Sequence, residues 1–122
     1  MKLLIVDDSS VIRSRIARVS GDSKLPELSI VGLAKNGREA IRICKVLLPD
    51  LVTMDLTMPE MDGVSCIREL ITLHPHINIL VISALSDKTT AIKALKLGAR
   101  GYLNKPFTDK QLIDALLEFV ET

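Results

Sequence analysis

Aromatic residues are nearly absent: one tyrosine (Tyr102), two phenylalanines (Phe107 and Phe119) and no tryptophan in 122 residues. Base-stacking platforms and aromatic cages for carbohydrate or flavin need several rings, so both are disfavoured. Cysteine is scarce too. Cys44 and Cys66 stand far apart, without a second CxxC half or histidines at metal-ligand spacing. That argues against a zinc site or disulfide framework and for two reduced thiols. Long hydrophobic runs are missing. The N-terminal one, residues 3–6, stops at Asp7, far short of a signal-peptide core or a membrane span; a cytoplasmic chain without membrane insertion is expected. No single sign of charge dominates: sixteen basic and fifteen acidic residues leave +1, which gives no footprint for direct nucleic-acid binding. No linker, low-complexity tract or repeat divides the chain, and 48% hydrophobic residues suffice for a core. One domain over residues 1–122 is expected.

Five short apolar runs read as strands: residues 3–6, 28–33, 51–54, 77–82 and a weak one at 101–103. Between them the period turns helical, as with Ala40, Ile43, Cys44 and Leu47, or Ile67, Leu70 and Ile71. Ser9 or Ser10 can cap a first helix carrying Ile12, Ile16 and Val19; Thr108 or Asp109 can cap a last one carrying Ile113, Leu116, Leu117 and Val120. Pro26, Pro49 and Pro75 precede strands, and Gly98 can end the fourth helix. A strand–helix pair repeated five times implies an α/β fold with helices on both faces of a parallel sheet. The favoured arrangement is a (βα)5 flavodoxin-like, doubly wound sheet of strand order 2-1-3-4-5, with its ligand crevice at the carboxyl ends of the strands.

Strand 1 ends in Asp7-Asp8, strand 3 in Asp55, strand 4 in Ser83-Ala84, and strand 5 leads into Lys105-Pro106. Three carboxylates in one crevice need a cation. Without His or Cys ligands, and without the looped spacing of a calcium site, the cluster suits Mg²⁺, which shares its remaining positions with phosphates. Ser83 and Lys105 offer a hydroxyl and a cation to complete a phosphoryl pocket, and an aspartate there can act as nucleophile, already ionised and needing no general base. No His stands at a strand end, which disfavours a Ser-His pair.

These residues resemble the receiver domain of two-component response regulators in its single-domain, CheY-like form. The resemblance covers essentially the whole chain. It rests on Leu4-Ile5-Val6-Asp7-Asp8-Ser9, Met54-Asp55-Leu56-Thr57-Met58-Pro59-Glu60-Met61-Asp62-Gly63, Val81-Ile82-Ser83-Ala84 and Gly101-Tyr102-Leu103-Asn104-Lys105-Pro106-Phe107, in that order. It implies a phosphorylation-dependent switch of a two-component or chemotaxis-type pathway, a phosphoacceptor rather than an enzyme. Asp55 would take the phosphoryl group from a histidine kinase or histidine phosphotransfer protein. Asp8, Asp55 and the backbone carbonyl of Thr57 would ligate Mg²⁺ directly and Asp7 through water, with Lys105 on the phosphoryl oxygens. Ser83 and Tyr102 would be the switch pair, Ala84 the small residue beside the phosphoryl group, and Lys105-Pro106 a cis peptide. Thr57 and Leu85 would tune the phosphoryl lifetime, and Ser10 or Ile12 would lie where the phosphodonor docks. The face formed by the fourth helix, fifth strand and fifth helix would meet the downstream target.

Plainer readings stand beside these. Asp62-Gly63 reads as a helix start that shapes the loop after Asp55. His74 and His76 read as solvated residues at the far end of the sheet. Cys44 should be core, whereas Cys66, off the Val64-Ile67-Ile71 stripe, should be partly exposed. Residues 87 to 110 hold six cations (Lys88, Lys93, Lys96, Arg100, Lys105, Lys110) against Asp87 and Asp109, and the first helix carries Arg13, Arg15 and Arg18. These are either a solvated face or, for the first group, a docking surface for an acidic partner. Alternative functions are the receiver part of a larger regulator, either a methylesterase or a DNA-binding protein, and an aspartate-nucleophile phosphatase. The last would want a second acid where Thr57 stands.

Overall fold

The computed structural model describes residues 1–58 and 61–120, so Pro59 and Glu60 of the second motif lie outside the described residues. Elements alternate in chain order: β1 (Lys2–Val6), α1 (Ser10–Ser20), β2 (Ser29–Ala34), α2 (Gly37–Leu47), β3 (Leu51–Asp55), α3 (Gly63–Leu73), β4 (Asn78–Ala84), a 3-10 turn (Leu85–Asp87), α4 (Lys88–Leu97), β5 (Gly101–Lys105) and α5 (Asp109–Val120). All neighbouring strands are parallel, in the order β2-β1-β3-β4-β5. The expected fold and strand order are those observed.

The caps are those that the side chains can make. Ser9 accepts from the Ile12 amide to open α1, and Asp62 accepts from the Ser65 amide to open α3. Thr108 and Gln111 satisfy each other's amides at the head of α5, a reciprocal box. Gly98 ends α4 with φ +127°, a conformation that costs a residue with a Cβ about 1 kcal/mol or more.

The sheet has two apolar faces. On one, Leu4, Val6, Val52, Met54, Ile79 and Val81 pack under α2, α3 and α4; on the other, Leu3, Ile5, Leu51, Leu80 and Ile82 pack under α1 and α5. Each such aliphatic side chain contributes about 2 kcal/mol by leaving water. Cys44 is buried as expected. Cys66 is fully buried too, correcting the expectation of partial exposure. Helix α3 presses against both the sheet and α2, so its buried stripe is Gly63, Cys66, Ile67 and Leu70, one position round from the apolar stripe read in the sequence. β5 runs two residues beyond its sequence signal. It is half-buried along its whole length, and its Asn104 and Lys105 give it a weak apolar pattern.

Candidate functional site

Strand register places the chemistry. Asp55 pairs with Ile82, Ser83 with Asn104 and Ala84 with Lys105. Residues paired across parallel strands share a face and alternate along each strand. Asp55 and Lys105 therefore leave the sheet on the α1/α5 side, whereas Ser83 and Tyr102 stand on the α4 side. Both sets stand at or near the carboxyl ends of β3, β4 and β5.

On the first side, a carboxylate oxygen from each of Asp7, Asp8 and Asp55 lies within 4.8 Å of the others. Asp7 and Asp55 are buried; Asp8 is exposed. Lys105 Nζ donates to Asp7 Oδ2 at 3.0 Å and stands 3.4 Å from Asp55 Oδ1. Further donors fix the carboxylates: the Ser9 amide on Asp7 Oδ1 at 2.9 Å and the Thr57 amide on Asp55 Oδ1 at 3.2 Å. Burial, and then the Asp7 charge, push the Asp55 carboxyl up to about 6 against the pull of Lys105. Burial would depress the Lys105 ammonium, but its hydrogen bond to Asp7 and the charges of Asp55 and Asp7 hold it above its ordinary value. Among the described residues, three carboxylates face one lysine. The donor set, all oxygen and two charges short of balance, fits a hard divalent cation such as Mg²⁺.

On the second side, the Ser83 hydroxyl is buried with no hydrogen-bond partner among the described residues, a state that costs a polar group about 1–3 kcal/mol. Tyr102 lies three residues before Lys105, against Lys88, Ala91, Ile92 and Leu95 around a small apolar cavity of about 170 Å³, and its hydroxyl donates to Asn104. Lys105-Pro106 is cis.

The loop after Asp55 is shaped by Gly63. A Cβ there would lie 2.5 Å from the Asp55 carbonyl oxygen and the Leu56 Cα, so only glycine lets α3 start directly over the end of β3. Thr57 is exposed, and its hydroxyl donates to Asp87 at 3.1 Å. Asp87 thereby ties that loop to the 3-10 turn before α4. The sequence reading missed this, since two residues 30 positions apart carry no shared pattern. It also left the α1 arginines as a possible solvated face. Arg13 instead donates to the Asp7 carbonyl at 2.6 Å, and Arg15 reaches the Phe107 carbonyl and Asp109. His76 is exposed and His74 closes α3, away from the cluster as read.

Comparison with known proteins agrees with this geometry. Residues 3–117 match the response regulator receiver domain. The chemotaxis protein CheY of Thermotoga maritima is 38% identical over 115 residues, 94% of this chain and 93% of that protein. A protein-glutamate methylesterase/protein-glutamine glutaminase 2 of Carboxydothermus hydrogenoformans is 43% identical over 108 residues, which are 87% of this chain but 30% of that protein. Among solved structures, the CheX-CheY-BeF3-Mg²⁺ complex of Borrelia burgdorferi contains a chain superposing with TM-score 0.88 at 26% identity, over 98% of this chain and 89% of that one. The response regulator domain of Thermotoga maritima CheB superposes with TM-score 0.85 at 29% identity, over 99% and 93%. With its acidic crevice at the strand ends and the receiver match running nearly end to end, the chain belongs to the response regulator receiver domain family.

Proposed function

We propose that this receiver domain accepts a phosphoryl group on Asp55 from a phosphohistidine donor, a histidine kinase or histidine phosphotransfer protein, and signals by altered affinity for a protein target. The observation that carries the reading is the buried Asp55 carboxylate 3.4 Å from Lys105 and clustered with Asp7 and Asp8; at the end of the neighbouring strand β4 the Ser83 hydroxyl is unpartnered among the described residues. An Asp55 oxygen attacks phosphorus. The new O–P bond forms as the P–N bond to the donor imidazole breaks, and the imidazole leaves with that electron pair. Lys105 balances charge on the phosphoryl oxygens. Asp8, Asp55 and the Thr57 carbonyl would hold Mg²⁺ directly, with Asp7 acting through water; the ion supplies neutralisation of the oxygens. That the Borrelia CheY is found with both BeF3 and Mg²⁺ supports the reading, since trifluoroberyllate has a phosphoryl group's shape.

Ser83 supplies the switch. Its hydroxyl has no bond to give up among the described residues, so a phosphoryl oxygen within reach would satisfy it and draw it toward Asp55. Ser83 and Tyr102 share a sheet face, so the shift is felt on the surface made by α4, β5 and α5, where the downstream target docks. A second reading follows from the methylesterase, in which the matching domain is 30% of the protein: the target is then an attached domain.

The test is intact mass after incubation with acetyl phosphate, with and without Mg²⁺, for the native chain and Asp55→Asn. One hydroxylamine-labile phosphate that requires both Mg²⁺ and Asp55 is the expected result. Phosphate gain by Asp55→Asn, or magnesium-independent gain, overturns it.

A further inference from the structure

Lys105 has to meet Asp7 and Asp55, yet its strand is not hydrogen-bonded to theirs. β3 and β4 intervene between β1 and β5, and β5 pairs on one side only. Besides the Lys105 ion pairs themselves, a tie runs through α1. Arg13 Nη1 donates to the Asp7 carbonyl at 2.6 Å. One residue beyond Ser14, Arg15 Nη2 donates to the Phe107 carbonyl, Nε donates to Asp109 Oδ1 at 3.2 Å, and the guanidinium lies over the Phe107 ring, 4.5 Å from its centre. Phe107 is itself buried, packed with the α1/α5 core. Arg15 therefore holds the segment two to four residues after Lys105 by three contacts that use its planar fork and its face together, which an ammonium cannot reproduce.

We propose that Arg15 is a positioning residue for Lys105: it clamps the loop after β5 to α1, on the sheet face from which Asp7, Asp55 and Lys105 project, and so sets where the Lys105 ammonium meets the phosphoryl oxygens. The proposal rests on Asp55 being the phosphoacceptor. If Arg15 only stapled α1 to α5, its loss would lower the melting temperature and leave the folded protein's chemistry unchanged. If it acts through Lys105, its loss slows phosphoryl transfer, and only while Lys105 is present.

The experiment is a double-mutant cycle on phosphorylation by acetyl phosphate in Mg²⁺, read by intact mass, with the native chain, Arg15→Met, Lys105→Met and the pair. Arg15→Met is expected to slow phosphorylation about tenfold, as small misplacements of a group beside reacting atoms do, with Mg²⁺ affinity by calorimetry unchanged within about twofold. On the Lys105→Met background it should cause no further loss. Arg15→Lys, which keeps the charge but not the fork, should recover part of the rate. An Arg15→Met rate equal to the native one overturns the proposal, as do losses that multiply in the pair. Should Arg15→Met not fold, Arg15→Lys is taken through the same cycle and the same two results overturn it. A native chain that gains no phosphate overturns the acceptor reading and this proposal with it.

Discussion

At the end of β3, burying the Asp55 carboxylate beside Asp7 carries a cost. Its pKa of about 6 stands above the ordinary 3.8, so the folded chain holds a proton that the unfolded chain has released between about pH 4 and 6. Stability falls as pH rises through that window. Asp55→Asn removes the cost: without metal it should unfold at higher urea than the native chain at pH 7, by on the order of 1–2 kcal/mol, with the advantage gone at pH 4. At Gly63 the sign reverses. A Cβ facing two backbone atoms at 2.5 Å has no flexible neighbour to yield, so Gly63→Ala should destabilise by about 2–3 kcal/mol and, by shifting the β3–α3 connection, slow phosphorylation of whatever folds. Urea titration and intact mass read the two effects separately.

At the scale of elements, α3 and the 3-10 turn carry the next two expectations. Cys66 is enclosed between α2 and α3, its thiol donating to the Gly37 carbonyl at 3.7 Å and pushed up to about 12 by burial and nearby acidic charge. Burial also raises Cys44. Neither thiol should react with a maleimide in the native protein, and both should react in urea. In the 3-10 turn, Leu85 is 69% exposed beside the Thr57–Asp87 bond and offers nothing to an attacking water. Leu85→Glu supplies an acceptor there and should change the decay rate of phosphorylated Asp55, measured by loss of the added mass. β1, β3 and β4 are covered on both faces and read clearly, and the edge strand β2 read clearly too through its apolar Ile30, Val31 and Leu33, whereas β5, with Asn104 and Lys105 at its end, read weakly. Cys66 was misjudged because one helix's periodicity does not reveal a second helix packed across it.

For the whole molecule, a formal charge of +1 hides a segregated distribution, with three carboxylates gathered at one end of the sheet. A divalent cation that binds there only in the folded state stabilises the fold by mass action, about 2.7 kcal/mol at a hundred times its dissociation constant. Mg²⁺ should therefore raise the melting temperature by several degrees, EDTA should reverse it, and Asp8→Asn should blunt it; scanning calorimetry decides. The residues of this site were legible because strand ends in a parallel sheet converge whatever the intervening sequence. The α1 arginines were not, because Arg15 meets Phe107 only after the strands have been ordered 2-1-3-4-5.

β5 has one consequence of its own. Amide protons exchange fastest where a strand has a free edge and little cover, and β5 has both, half-buried over all five residues while carrying Lys105 and Tyr102. The strand that completes the crevice is thus held less firmly than β1, β3 and β4, which are paired on both sides. A phosphoryl group that engages Lys105 should quench the strand's breathing, and slower amide exchange along β5 on phosphorylation would show occupancy reaching the surface as a loss of motion as well as a change of shape.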